Sequence, residues 1–365
     1  MLALPKTSDD FTSEWLNAAL RTNDHLGPYS VLTCEANDID VPGQTAEIAR
    51  LCLTFDDPQC PLPRQMIAKY TSRNPLVTEL INNFGQYWRE TSFYQEFSDV
   101  GLPIPTCYYA RHDPASQEMV ILMSDLAPAM SPAWASTPEH VETAIAHLPT
   151  FHGRWWNSPH LLTKDWLIQA DSTAFYTAAA GAGAAAAPAI RAVFGHKADA
   201  TIEGLTLFSE KIEQVMGYIK SRDYTLVHGD YHGKQMFFAS LQGGAFTVID
   251  WQFSFVAQGA WDLVRILTLG QSTADRHRNQ EALITGYCQS LADLGVVIDR
   301  ADLDNDMRVG IMISQMIMAI ALADTDIALI EKECNDLGVN YQDVLLLRGE
   351  AFVQESGAVD FLRRL

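Results

Sequence analysis

Apolar positions fall at helical spacing near the start of the chain. Trp15, Leu16, Ala19 and Leu20 follow Thr12, a residue suited to capping, and predict a helix there. The period then shortens to two. Ile39–Phe55 and Gln65–Tyr70 read as strands, with the cleanest alternation in Glu47–Phe55 and Met66–Tyr70, and Asp56–Pro63 between them is rich in turn formers. Helical spacing returns over Asn82–Phe97, offering Phe84, Trp88, Phe93, Tyr94 and Phe97 for packing, and Gly101 and Pro103 close it. Glu118–Met123 is a further apolar strand, broken by Ser124–Pro128. From Pro138 onward helical patterns dominate. Thr177–Ala189 is almost entirely Ala, Gly and Pro; Gly181, Gly183 and Pro188 cut against a simple alanine helix and predict a mobile or closely packed insertion. Val309–Ala323 is the most apolar stretch. It carries Ser314 and Gln315 and falls short of the roughly 20 residues of a membrane span, so it reads as a buried helix.

This order predicts an α+β chain of two lobes: a small sheet with a main crossing helix over residues 1–127, and a larger, mainly helical lobe over 128–365 with a helical insertion at about 166–223. With 365 residues, 48% hydrophobic and 19% charged, the chain has the material for sizeable cores. Its formal charge is 25 − 45 = −20. Such a field repels phosphate, so nucleic acid and anionic membrane are not expected partners, and any phosphate site has to be built locally. The six cysteines show no CxxC spacing and the N-terminus has no basic segment followed by an apolar run. Reduced thiols and a cytoplasmic location are expected. Oligomeric state is not legible.

The chemistry concentrates in Leu226-Val-His-Gly-Asp-Tyr-His-Gly-Lys-Gln235 and in Val248-Ile-Asp-Trp-Gln252. The first places an aspartate and a carboxamide on one loop. The second places another aspartate at the end of an apolar strand, 250 − 230 = 20 residues later. A carboxylate there is costly unless it meets a partner or a metal. One group to orient a hydroxyl and two to hold magnesium on ATP is the set that phosphoryl transfer needs. Lys69, in the strand Met66-Ile-Ala-Lys69, and Glu90, on the following helix, precede them in the order of a kinase parts list.

His228-Gly-Asp-Tyr-His232 with Ile249-Asp-Trp-Gln252 resembles the signature of the aminoglycoside phosphotransferase/choline kinase superfamily, and most closely its ecdysteroid-kinase-like (CHK) branch. Glu14–Leu20, Arg89–Tyr94 with Gly101–Pro105, and Ala146–Trp156 resemble that branch as well. The resemblance implies a protein-kinase-like two-lobed fold, ATP and Mg2+ as cofactors, and a small-molecule hydroxyl substrate. By position it implies that Asp230 contacts the acceptor, with His232 or Lys234 near the γ-phosphate, although a solvent-facing Lys234 is the plainer expectation. It implies that Lys69, braced by Glu90, meets the α- and β-phosphates and that Asp250 binds metal. Gly43, Gln44 and Thr45 stand where backbone N–H groups would meet phosphate, a segment that reads equally as a plain turn, and Met123 to Asp125 stand at the adenine hinge. Asp262 corresponds to an aspartate that braces the catalytic loop, and His152 reads as a packed, hydrogen-bonded histidine. The family's second metal ligand is an asparagine; here it is Gln235, one methylene longer. That departure leaves a second reading, a catalytically inactive kinase-like protein that binds nucleotide or ligand.

Overall fold

The computed structural model describes residues 2–39, 45–324 and 327–365. The chain forms two compact units: Met1–Pro128 with Ile249–Phe253, and Ala129–Val248 with Ser254–Leu365.

In the first unit, α1 (Ser13–Thr22) begins where the Thr12 hydroxyl accepts from the Trp15 backbone N–H at 3.2 Å. Five strands follow: β1 (Val31–Asp38), β2 (Ala46–Phe55), β3 (Gln65–Thr71), then, after α2 (Pro75–Asn83) and α3 (Gln86–Glu96), β4 (Cys107–Asp113) and β5 (Glu118–Ser124). They form one antiparallel sheet in the order β1-β2-β3-β5-β4. Alternate residues of the central strands, Leu51, Leu53, Met66, Ala68, Val120 and Leu122, bury one face beneath Phe11, Trp15 and Leu16. Leu16 is fully buried, and its truncation to Ala would cost about 2–5 kcal/mol.

Three expectations need correction here. Of the strand expected over Ile39–Phe55, β2 begins at Ala46, residues 40–44 lie outside the described residues, and β1 ends at Asp38; as an edge strand with five exposed positions, β1 carries little apolar alternation to read. The helix expected over Asn82–Phe97 is two helices, because Gly85 adopts φ 64° between them, a conformation glycine takes at little cost. Cys107–Asp113 is a strand that was not anticipated.

The second unit opens with α4 (Pro138–Trp155), α5 (Thr173–Ala185), α6 (Ala187–Phe194), α7 (Asp199–Glu210) and α8 (Ile212–Lys220). Short strands β6 (Thr225–Val227), β7 (Met236–Ser240), β8 (Gly243–Val248) and β9 (Phe255–Ala257) follow, β6 pairing with β9 and β7 with β8. The chain ends in α9 (Ala260–Leu269), α10 (Thr273–Asp293), α11 (Arg300–Asp324), α12 (Ile327–Asp336), α13 (Arg348–Ser356) and α14 (Ala358–Arg364). Every residue of α9 is buried, and it packs against α11. The Ala/Gly run lies in the helical insertion as two helices, α5 and the start of α6, and not as one alanine helix. Gly183 serves close packing, since a Cβ there would lie 2.7 Å from Met316 Cγ, and Pro188 sits in the first turn of α6, where its missing N–H costs nothing. All six cysteines are free thiols. Among the described residues no single helix is long and apolar enough to cross a membrane.

Candidate active site

The first unit gathers one set of charges. β3 carries Lys69 in its buried middle, and α3 presents Glu90 one turn before Phe93. Lys69 Nζ lies 2.9 and 2.7 Å from the two Glu90 carboxylate oxygens and 2.8 Å from Asp250 Oδ1. Burial works against the ammonium, but Asp250 and Glu90 outweigh it and hold Lys69 above its usual pKa. Burial pushes Glu90 the other way, up to about 7, aided by Asp250 and opposed by Lys69. Asp250 sits two residues past β8 at φ 67°, outside the range an aspartate normally prefers. The neighbouring turn holds it there: Trp251 stacks on Phe93 with ring centroids 4.1 Å apart, and the Arg89 guanidinium donates to the Gln252 carbonyl at 2.7 Å. Gln252 Nε2 in turn donates to Asp250 Oδ2 at 3.3 Å.

The remaining nucleotide candidates of this unit fall as follows. Thr45 donates its hydroxyl to Gln252 Oε1 at 3.2 Å, and its carbonyl accepts from Tyr87. Gly43 and Gln44 lie outside the described residues. Met123 is buried in β5 opposite Ile67 and Cys107. The Asp125 carboxylate is engaged by Arg50 at 2.6 Å and by the Ala127 N–H at 2.9 Å.

The second unit gathers the other set on the loop after β6. Asp262, fully buried in the first turn of α9, accepts the backbone N–H groups of His228 at 2.7 Å and Gly229 at 2.9 Å. His152 stands behind it, with Nε2 3.4 Å from Asp262 and Nδ1 2.9 Å from the Tyr287 hydroxyl, a packed and bonded histidine as expected. So braced, the loop presents Asp230. Gly233 keeps the descending arm close to its neighbours, where a Cβ would lie 2.0 Å from Ser136 Oγ and 2.6 Å from the Ala133 carbonyl oxygen.

Asp230 is almost wholly enclosed by donors. Arg265 Nε donates to Oδ1 at 2.8 Å, Arg265 Nη2 reaches the same oxygen, and His232 Nε2 lies 3.2 Å from it. Gln235 Nε2 donates to Oδ2 at 2.8 Å. Burial opposes the charge of Asp230, yet His232, Arg265 and Gln235 hold its carboxyl well below the usual aspartate value. His232 Nδ1 accepts from the Lys234 N–H at 3.3 Å, which leaves the ring proton on Nε2, facing Asp230. Burial lowers the His232 pKa, opposed by Asp230, and both ring nitrogens are engaged. Its plane stacks on Trp134. Lys234 is not the solvent-facing residue expected: Nζ lies 3.1 Å from Glu333 and 5.1 Å over the Trp134 ring.

Arg265, Trp134 and Glu333 were absent from the sequence reading. Arg265 had a signal, since it lies three residues after Asp262 on α9 and so shares the face that meets the loop. Trp134 and Glu333 had none, being distant in sequence from the loop they touch.

Each unit offers an oxygen donor of the kind a hard cation takes. Asp250 offers a carboxylate. Gln235, whose nitrogen is turned to Asp230, has an amide oxygen with no protein donor among the described residues. Magnesium is typically held by one or two such oxygens together with substrate phosphates. No group of three or more His, Cys, Asp or Glu side chains among the described residues forms a ready-made metal cluster.

A family model described as DUF1679, uncharacterized oxidoreductase dhs-27, matches residues 198–296. That stretch holds Asp230, Gln235, Asp250 and Asp262 and has no G-x-G-x-x-G dinucleotide sequence. Among solved structures, the chain is similar to a candidate aminoglycoside phosphotransferase from Ralstonia eutropha, at 13% identity and TM-score 0.49 over 93% of this chain and 97% of that one. It is also similar to an aminoglycoside phosphotransferase from Alicyclobacillus acidocaldarius, at 15% identity and TM-score 0.45 over 95% and 96%. A third is APH(3'')-Id from Streptomyces rimosus, at 12% identity and TM-score 0.47 over 83% and 97%. No curated protein matches the chain significantly.

Proposed function

We propose that the chain is an ATP- and magnesium-dependent phosphotransferase that moves the γ-phosphate of ATP to a hydroxyl of a small molecule. The observation that carries this reading is the Lys69–Glu90–Asp250 set: a buried lysine held between a helix glutamate and an aspartate in a strained backbone position. A lysine braced in this way suits nucleotide phosphates, and the aspartate suits their metal. Magnesium, when bound, neutralises charge developing on the β- and γ-phosphate oxygens. Asp250 and the Gln235 amide oxygen are the groups that would hold it. Lys69 binds phosphate oxygens, and Glu90 keeps its ammonium extended. Asp230 orients the acceptor hydroxyl. With its carboxyl held well below the ordinary aspartate value, it is a weak base, so positioning is its main contribution and proton acceptance comes late.

Two variants test the assignment. Asp230→Ala is expected to abolish turnover while Mg-ATP still binds, and Asp250→Ala to weaken magnesium-dependent nucleotide binding itself. Calorimetric titration with Mg-ATP, alongside ADP release with a panel of hydroxyl compounds, separates the two. Equal loss of binding in both variants counts against the roles given. Binding by the wild-type chain without turnover of any acceptor, water included, would favour a nucleotide-binding protein.

A further inference from the structure

We infer that Arg265 is the positioning residue of Asp230, and that by occupying Oδ1 it leaves Oδ2 as the only oxygen that can receive an acceptor. The inference deepens the phosphotransferase reading and rests on it for the identity of the acceptor as a hydroxyl. A carboxylate has about four lone-pair sites, two on each oxygen. Around Asp230 Oδ1 stand Arg265 Nε at 2.8 Å, Arg265 Nη2, and His232 Nε2 at 3.2 Å, so that oxygen is full. Around Oδ2 stands a single donor among the described residues, Gln235 Nε2 at 2.8 Å. One site on Oδ2 therefore remains, and it lies beside Gln235.

Arg265 is itself fixed at its far end. Nη1 donates to Ser314 Oγ at 2.9 Å, and Nη2 lies 3.8 Å from Met318 Sδ, both on α11. Arg265 is 3% exposed and Asp230 7% exposed, so water has little access to the pair. Nε and Nη2 of Arg265 converge on Oδ1 and hold that oxygen from two directions, which a lysine point charge does not. Asp262 and Arg265 lie one turn apart on α9. The helix thus holds the loop backbone with one residue and its reactive side chain with the other.

Steady-state hydrolysis of Mg-ATP, with water as acceptor, and Mg-ATP affinity are measured for the wild type, Arg265→Ala, Arg265→Lys and Ser314→Ala. Misplacing a reacting group by about 1 Å costs on the order of a hundredfold, so kcat is expected to fall by about that factor in Arg265→Ala. Mg-ATP affinity should stay within about twofold, because neither Arg265 nor Ser314 is assigned to the nucleotide or its metal. Guanidinium ion at low millimolar concentration should recover part of the Arg265→Ala rate, Arg265→Lys should be intermediate, and Ser314→Ala should show a smaller fall. A wild-type rate in folded Arg265→Ala overturns the inference. If Arg265→Ala does not fold, an unchanged rate in Ser314→Ala overturns it. If the wild-type chain hydrolyses no ATP, the kinase reading is decided by the acceptor panel, and the crystal structure of Arg265→Gln decides this one: a rotated Asp230 carboxylate supports it, an unmoved one overturns it.

Discussion

Replacing Asp262 with asparagine changes one atom type in a fully buried site and should loosen the whole catalytic loop. The carboxylate accepts two backbone N–H groups, at 2.7 Å from His228 and 2.9 Å from Gly229. An amide has one oxygen and one NH2, so it can accept from only one of them and must turn a donor toward the other. The bond lost is charge-assisted, worth about 1.5–3 kcal/mol, and the stranded N–H adds about 1–3 kcal/mol. A local cost of roughly 3–5 kcal/mol follows, allowing for partial relaxation of the loop. At about 1.4 kcal/mol per tenfold, the loop amides should exchange about two to nearly four orders of magnitude faster. Hydrogen exchange with mass spectrometry on peptides covering residues 226–236 reads this directly, and kcat for ATP consumption should fall in the same variant. Unchanged exchange at His228 and Gly229 with unchanged kcat would refute the claim that Asp262 braces the loop.

Two further outcomes follow from the same geometry. Burial raises Glu90 to about 7, above its ordinary 4.5, so between these values the folded chain binds this proton more tightly than the unfolded chain does. The wild type should therefore gain stability relative to Glu90→Gln as pH falls from 7 toward 4.5 and lose it as pH rises again; urea titrations at several pH values check this, and a pH-independent difference counts against it. Gln235→Asn shortens the side chain by one methylene and should lower turnover: the donor retreats by about 1.5 Å and opens the 2.8 Å bond to Asp230. A hydrogen bond to a charged group is worth about 1.5–3 kcal/mol, so kcat should drop by one to two orders of magnitude, and a rise in kcat would show that Gln235 is not adapted to this loop.

The sheet and the helical unit were legible where side chains alternate between core and solvent. β2 alternates in this way along most of its length and β3 at its start, while β5 was legible as an unbroken buried apolar run; β1, mostly exposed, and β4 left no comparable pattern. The break at Gly85 and the packing of the alanine run turned on backbone conformation and on a neighbour, Met316, more than a hundred residues away. At the site, Lys69, Glu90 and Asp250 could be named from their order, but their mutual contact could not, since Lys69 and Asp250 are 181 residues apart. The return of Ile249–Phe253 to the first unit is likewise a tertiary fact. Lys234 was misread because a lone lysine on a loop is usually solvated, and nothing local reveals Glu333 or Trp134.

The central claim is that this chain transfers phosphate to a hydroxyl under the direction of Asp230. Phosphorus NMR of Mg-ATP incubated with the protein and pooled amino sugars, amino alcohols and sterol-like alcohols tests it most directly. The account predicts ADP together with a new phosphomonoester resonance that requires magnesium and is missing with Asp230→Ala. ATP left intact in every pool, or a phosphomonoester formed equally well by Asp230→Ala, would contradict it.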